Sequence, residues 1–131
     1  MKQLVAHLFG DYILQTDHEA NTKTEAWLPA ATHAAKYTAC FLPLTRSPKA
    51  LAVIGGTHMV LDHYRTAKRV VWAKNQLAPV DKQYSWEEAQ RNNGYPKTTP
   101  PGIAFGLMVV ADNTIHMLIN EWALNRWERN D

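Results

Sequence analysis

Four long segments of this chain carry the apolar patterning of helices, and no segment alternates with the period of two that marks a strand. The first predicted helix covers residues 2–16 and ends at the polar run Thr16-Asp17-His18-Glu19. The second covers 21–42, with Asn21 or Thr22 as N-cap and Glu25 completing a capping box with Thr22. Pro29 inside it either kinks the helix or marks its true start. The third covers 48–76, with Ser47 as N-cap and Pro48 at the first helical position. Residues 77–101 hold four prolines and Asn92-Asn93-Gly94, and read as a long loop with one short helix around 86–91 capped by Ser85. Pro100-Pro101-Gly102 opens the fourth helix, which runs to about 127. The expected architecture is a single all-α domain over 1–131, a four-helix bundle with a long loop between helices 3 and 4.

Composition narrows the classes. A chain of 131 residues fits one domain, and 46% hydrophobic against 20% charged residues excludes disorder. The formal net charge of +2 is too small to predict nucleic-acid binding, so no sequence-specific nucleic acid is expected. The single cysteine, Cys40, excludes an intrachain disulfide framework and a cysteine-based zinc knuckle. His7 and Asp11 interrupt the apolar N-terminal run, so a signal peptide is not expected and neither is secretion. The longest apolar stretch, Gly102–Leu124, contains Asp112, Asn113, His116, Asn120 and Glu121. Ionisable groups in an apolar helix mark a functional interior in a membrane or in a bundle. The expected location is therefore a cytoplasm or an inner membrane.

The chemistry lies in the histidines. His7 and Asp11, His58 and Asp62, and Asp112 and His116 each stand four residues apart on a predicted helix, and His33 lies in the small apolar run Ala30-Ala31-Thr32-His33-Ala34-Ala35. Residues four apart share one helix face. One such histidine is ordinarily a hydrogen-bonded core residue. Three His/Asp pairs on three apolar helices call for more, because burying ionisable groups costs several kcal/mol each unless they are paired or bind metal. Imidazole with carboxylate suits zinc, manganese or iron, so His7, Asp11, His33, His58, Asp62, Asp112 and His116 are the expected ligands of a divalent ion. Asp11 or Asp112, where not a ligand, is the expected general base. His18 in a polar turn and His63 off the Asp62 face have weaker claims.

On a continuous third helix, Arg65, Arg69 and Trp72 would continue the stripe of His58 and Asp62. Guanidinium forks match phosphate oxygens and an indole stacks on a base. With Lys23, these residues are the expected contacts of a phosphate-bearing small molecule. The alternative for the basic residues is a solvated helix end. No Walker sequence, Gly-x-Ser-x-Gly elbow or zinc-finger spacing is present.

The stretch His7-Leu-Phe-Gly-Asp-Tyr-Ile-Leu-Gln-Thr-Asp17, followed by Lys23, His33, Thr57-His-Met-Val-Leu-Asp62 and Ala111-Asp-Asn-Thr-Ile-His-Met117, resembles the domain-of-unknown-function 3307 family. That family comprises small helical proteins of phages and bacteria, some of them membrane proteins. The resemblance covers nearly the whole chain. It implies a phage or prophage origin and no established activity. The chain is more loosely similar to HD-type phosphohydrolases, all-helical enzymes with His and Asp metal ligands, although Asp62-His63 reverses their His-Asp order. It also looks like small membrane-bound metal-dependent hydrolases. The expected function is metal-dependent hydrolysis of a phosphoester, a nucleotide or similar. The alternatives are a non-enzymatic phage protein that sequesters a host nucleotide or blocks a host defence protein, and a small inner-membrane helical protein. A homo-oligomer is compatible with each.

Overall fold

The computed structural model describes residues 1–128. All regular structure among them is helical: α1 (Lys2–Tyr12), α2 (Asp17–Thr22), α3 (Trp27–Ala39), α4 (Pro48–His63), α5 (Thr66–Asn75), a 3₁₀ turn (Val80–Lys82), α6 (Trp86–Arg91) and α7 (Pro101–Glu128). The chain divides into two compact units. Residues 1–64 and 116–128 make the first, and Arg65–Ile115 the second. Helix α7 thus contributes to both.

The predicted long helices are cut at positions that local chemistry explains. The helix expected over 2–16 stops at Tyr12, and Thr16 starts a new one. The Thr16 hydroxyl accepts the Glu19 N–H at 3.2 Å while the Glu19 carboxylate accepts the Thr16 N–H at 2.9 Å, a reciprocal capping box. The box predicted at Thr22 and Glu25 is absent from this role, because Thr22 closes α2 and donates its hydroxyl to the His18 carbonyl at 2.6 Å. Helix α3 then starts at Trp27, which puts Pro29 in the first turn, where a backbone N–H has no helical partner to lose. Ser47 and Pro48 open α4 and Ser85 caps α6, both as predicted.

The helix expected over 48–76 breaks after His63. Arg65 adopts φ 47°, ψ 49°, the left-handed conformation, and α5 begins at Thr66. A non-glycine residue there costs about 1–2 kcal/mol, and the break ends the stripe that would have carried His58 and Asp62 on to Arg69 and Trp72.

In the first unit α3 packs against α1, α2 and α4. Small residues let the helices approach. A Cβ on Gly55 would collide with the Thr38 hydroxyl, and Ala6, Ala30, Ala34 and Ala50 are buried. Tyr37, Phe41, Ile54, Ala123 and Leu124 form the apolar core, where each large side chain contributes roughly 1.5–3 kcal/mol of burial. Helix α1 is inverted relative to a water-soluble amphipathic helix. It buries Ala6, His7 and Gly10 and exposes Leu4, Val5, Leu8, Phe9, Tyr12 and Ile13.

The second unit is tied by backbone-directed bonds. The Trp72 indole donates to the Tyr84 carbonyl at 3.0 Å, and the Tyr84 hydroxyl donates to the Gly94 carbonyl at 2.9 Å. Gly94 has φ +91°, and a Cβ there would lie 2.5 Å from the Lys68 carbonyl oxygen. The expected long loop is thus partly built, and the Asn92 amide holds the Pro96 and Thr99 carbonyls at 2.9 and 2.8 Å.

Candidate metal centre

Four helices of the first unit bring imidazoles and carboxylates to one place. Helix α1 supplies His7 and Asp11, α3 supplies His33, α4 supplies His58 and Asp62, and α7 supplies His116. The Nε2 atoms of His33 and His58 face each other at 2.9 Å. Asp11 Oδ1 lies 3.4 Å from His33 Nε2 and 3.3 Å from His58 Nε2. Asp62 Oδ2 lies 3.5 and 3.4 Å from the same two nitrogens, and its Oδ1 accepts from His116 Nε2 at 3.2 Å. Two groups of three could each hold a metal ion: Asp11, His33 and His58, and His58, Asp62 and His116, with His58 shared.

The spacing suits an ion. Nitrogen and oxygen ligands about 2.0–2.1 Å from a tetrahedral ion stand roughly 3.3–3.4 Å from one another. Two edges of the first triad, 3.4 and 3.3 Å, are of that size, and the third, 2.9 Å between the two imidazole nitrogens, is shorter and would open on binding. Asp11 Oδ1 is buried without a hydrogen-bond partner, as are the Nδ1 atoms of His33 and His58. Such an atom ordinarily costs about 1–3 kcal/mol, and a cation beside Asp11 Oδ1 would remove that cost.

Electrostatics favour the metal-binding forms of Asp11, Asp62 and His58, and the protonated form of His33. Burial alone would raise the Asp11 carboxyl, but the imidazoles of His33 and His58, 3.4 and 3.3 Å away, outweigh it and hold it far below the usual range. Burial would likewise raise Asp62, and His116, His33, His58 and the Lys23 ammonium together drive it well down. Burial pushes His58 down, toward the neutral ring a metal needs. His33 is depressed by burial but raised further by Asp11 and Asp62, so its net shift is upward.

Lys23 reaches this cluster from the end of α2, donating to Asp62 Oδ2 at 2.5 Å. His63 Nδ1 donates to the Lys23 carbonyl at 2.8 Å, and its ring stacks on Trp27. His18 is exposed on α2. His7 is fully buried beside the cluster, 3.5 Å from Asp11 Oδ2, and belongs to neither ligand triad. Asp112 is half-buried one turn before His116, in the part of α7 that belongs to the second unit, and is in neither triad. Arg65, Arg69 and Trp72 also belong to the second unit, where the Arg69 guanidinium lies 5.9 Å from the centre of the Trp86 ring.

Two further residues stand next to the cluster. Tyr37 and Asn120 are both fully buried, and the Asn120 amide donates to the Tyr37 hydroxyl at 2.6 Å. The available signal was spacing, since each lies one helical turn beyond a histidine, His33 and His116. No protein-family model, curated protein or solved structure matches this chain, so its own residues carry the functional argument.

Proposed function

We propose that this chain is a metal-dependent hydrolase of a phosphoester. The observation that carries the reading is the convergence of Asp11, His33 and His58 at 2.9–3.4 Å from one another in a buried site. In this reading α1, α3, α4 and the second part of α7 act as a four-helix frame around the ligands. A bound divalent zinc, manganese or iron would supply a water of lowered pKa and a Lewis acid for the phosphorus centre. His58 and Asp62 hold the ligand set together from one face of α4. Asp11 is kept as a ligand, because a carboxylate held so low takes up a proton poorly. The Lys23 ammonium, at the Asp62 end of the cluster, is placed to hold a phosphate oxygen. The resemblance to the 3307 family and a phage origin belong to the same proposal, as does a nucleotide-like substrate.

The test is metal analysis of the purified protein beside the Asp62→Ala and His58→Ala variants, with hydrolysis of a chromogenic phosphodiester measured before and after EDTA. Near-stoichiometric metal, lost in both variants together with turnover, supports the reading. Absence of metal, with stability and turnover unmoved by EDTA, overturns it. Stoichiometric metal without turnover of any phosphoester would favour sequestration of a ligand instead.

A second reading has its own observation. Pro101–Trp127 is long and apolar enough to cross a membrane, with mean hydropathy 1.6 in its best window, and only 11% of that window is buried. Ile103, Phe105, Leu107, Val110, Leu118 and Trp122 are exposed along it, whereas the core helix of a water-soluble domain buries such residues. In this reading the chain sits in an inner membrane through α7, and the two readings are compatible in one molecule.

A further inference from the structure

Tyr37 on α3 touches each of the other three helices that carry the histidines. Its ring stacks on the His58 imidazole with centroids 3.7 Å apart and planes 8° apart. Its hydroxyl lies 2.7 Å from His7 Nδ1 and 2.6 Å from Asn120 Nδ2. The α1 backbone makes room for it at Gly10, where a Cβ would come 2.7 Å from Tyr37 Cδ2.

The direction of these bonds follows from what each group can do. An amide NH₂ only donates, so the phenol oxygen accepts from Asn120. The phenol can then give its single proton to His7 Nδ1 at 2.7 Å; Asp11 Oδ2, the competing acceptor for a proton on that nitrogen, stands farther off at 3.5 Å, beyond the usual hydrogen-bond range. A neutral His7 in that position carries its own proton on Nε2, because a neutral imidazole has one donor and one acceptor nitrogen. The stacked phenol ring meanwhile limits rotation of the His58 ring, whose Nε2 faces Asp11 and Asp62.

We propose that Tyr37 is a positioning residue of the centre: through the chain Asn120–Tyr37–His7 it fixes His7 as the Nε2–H tautomer, and through stacking it fixes the plane of His58. The His58 half rests on the metal reading above. The His7 half does not.

The experiment records imidazole ¹⁵N correlations of the metal-free protein and titrates Co²⁺ by its visible spectrum, for the wild type, Tyr37→Phe, Tyr37→Leu and Asn120→Asp. In the wild type His7 should show a protonated Nε2 and an accepting Nδ1. Asn120→Asp offers the phenol an acceptor, draws its proton away and should switch His7 to the Nδ1–H form. Tyr37→Phe keeps the stacked ring and should release the tautomer with Co²⁺ affinity near the wild-type value, whereas Tyr37→Leu also removes the ring stacked on His58 and should weaken Co²⁺ binding by about 10–100-fold, the usual effect of losing outer support around a metal ligand. A wild-type His7 protonated on Nδ1, or all three variants indistinguishable from wild type, would overturn the proposal. Should the Tyr37 variants not fold, the tautomer switch in Asn120→Asp decides. A wild type that shows the expected tautomer and its switch but binds no Co²⁺ overturns the metal reading and leaves the hold of Tyr37 on His7 supported.

Discussion

At the scale of residues, the first unit places polar side chains inside and asks each to have a partner. Glu19 shows how this couples to pH. Burial would raise its carboxyl, but the Lys36 ammonium at 2.6 Å and the Thr16 N–H and hydroxyl outweigh it, leaving it at about 2 instead of 4.5. A carboxyl lowered in the fold contributes stability that is complete above its unfolded value and lost as pH falls through the folded one. Unfolding stability should therefore drop between about pH 4.5 and 2, by a share on the order of 2 kcal/mol once the partly exposed Lys36 is allowed for. Chemical denaturation across that range, wild type against Glu19→Gln, measures it. A variant with the same acid slope as wild type would refute this account. Gly10 gives a second prediction. Gly10→Ala should force Tyr37 to move and cost about 1–3 kcal/mol of stability, the usual effect of overpacking, read as a lower urea midpoint with an unchanged slope.

At the scale of elements, helix lengths were the least legible property. The residues from His58 to Trp72 have helical patterning throughout, yet the chain breaks at Arg65. The break is a left-handed residue of a type that does not announce itself in sequence, since arginine is a good helix former. Arg65→Gly should therefore be neutral or stabilising by up to about 1 kcal/mol, the left-handed penalty relieved less the extra unfolded-state freedom of glycine. A thermal melt of the variant checks it, and a clear loss of stability would show that the Arg65 side chain makes a compensating contact. The α3–α4 approach gives the converse case. Gly55→Ala meets the Thr38 hydroxyl and should destabilise by roughly 1–3 kcal/mol, and Thr38→Ala in the same chain should recover much of the loss. That non-additivity, measured in a double-mutant cycle, locates the contact.

At the scale of the whole molecule, the surface carries more exposed apolar side chains than water rewards, on α1 and along α7. If α7 lies in a bilayer, the protein should stay with membranes through a carbonate wash and need detergent for extraction, and Leu118→Glu with Trp122→Glu should shift it toward the soluble fraction. Full solubility of the wild type without detergent would remove the membrane reading and leave the metal centre untouched.

Sequence alone determined the all-helical class, the Ser47, Pro48 and Ser85 helix starts, and the His/Asp pairs on α1 and α4. All are local, set by which residues lie within one turn of each other on the same segment. It also marked His33 and His116, by the cost of burying such groups unpaired, and Lys23, by its closeness along the chain to the first helix. What only the tertiary structure decided is which of these meet: that Asp11 joins His33 and His58, that Asp62 joins His116 and Lys23, that Tyr37 and Asn120 stand behind them, and that Arg65, Arg69 and Trp72 fall in another unit. Those contacts join residues more than 20 positions apart or depend on one left-handed residue. The approach of small residues between helices and the break at Arg65 leave no periodic trace along the chain, so the fold had to be seen before the site could be assembled.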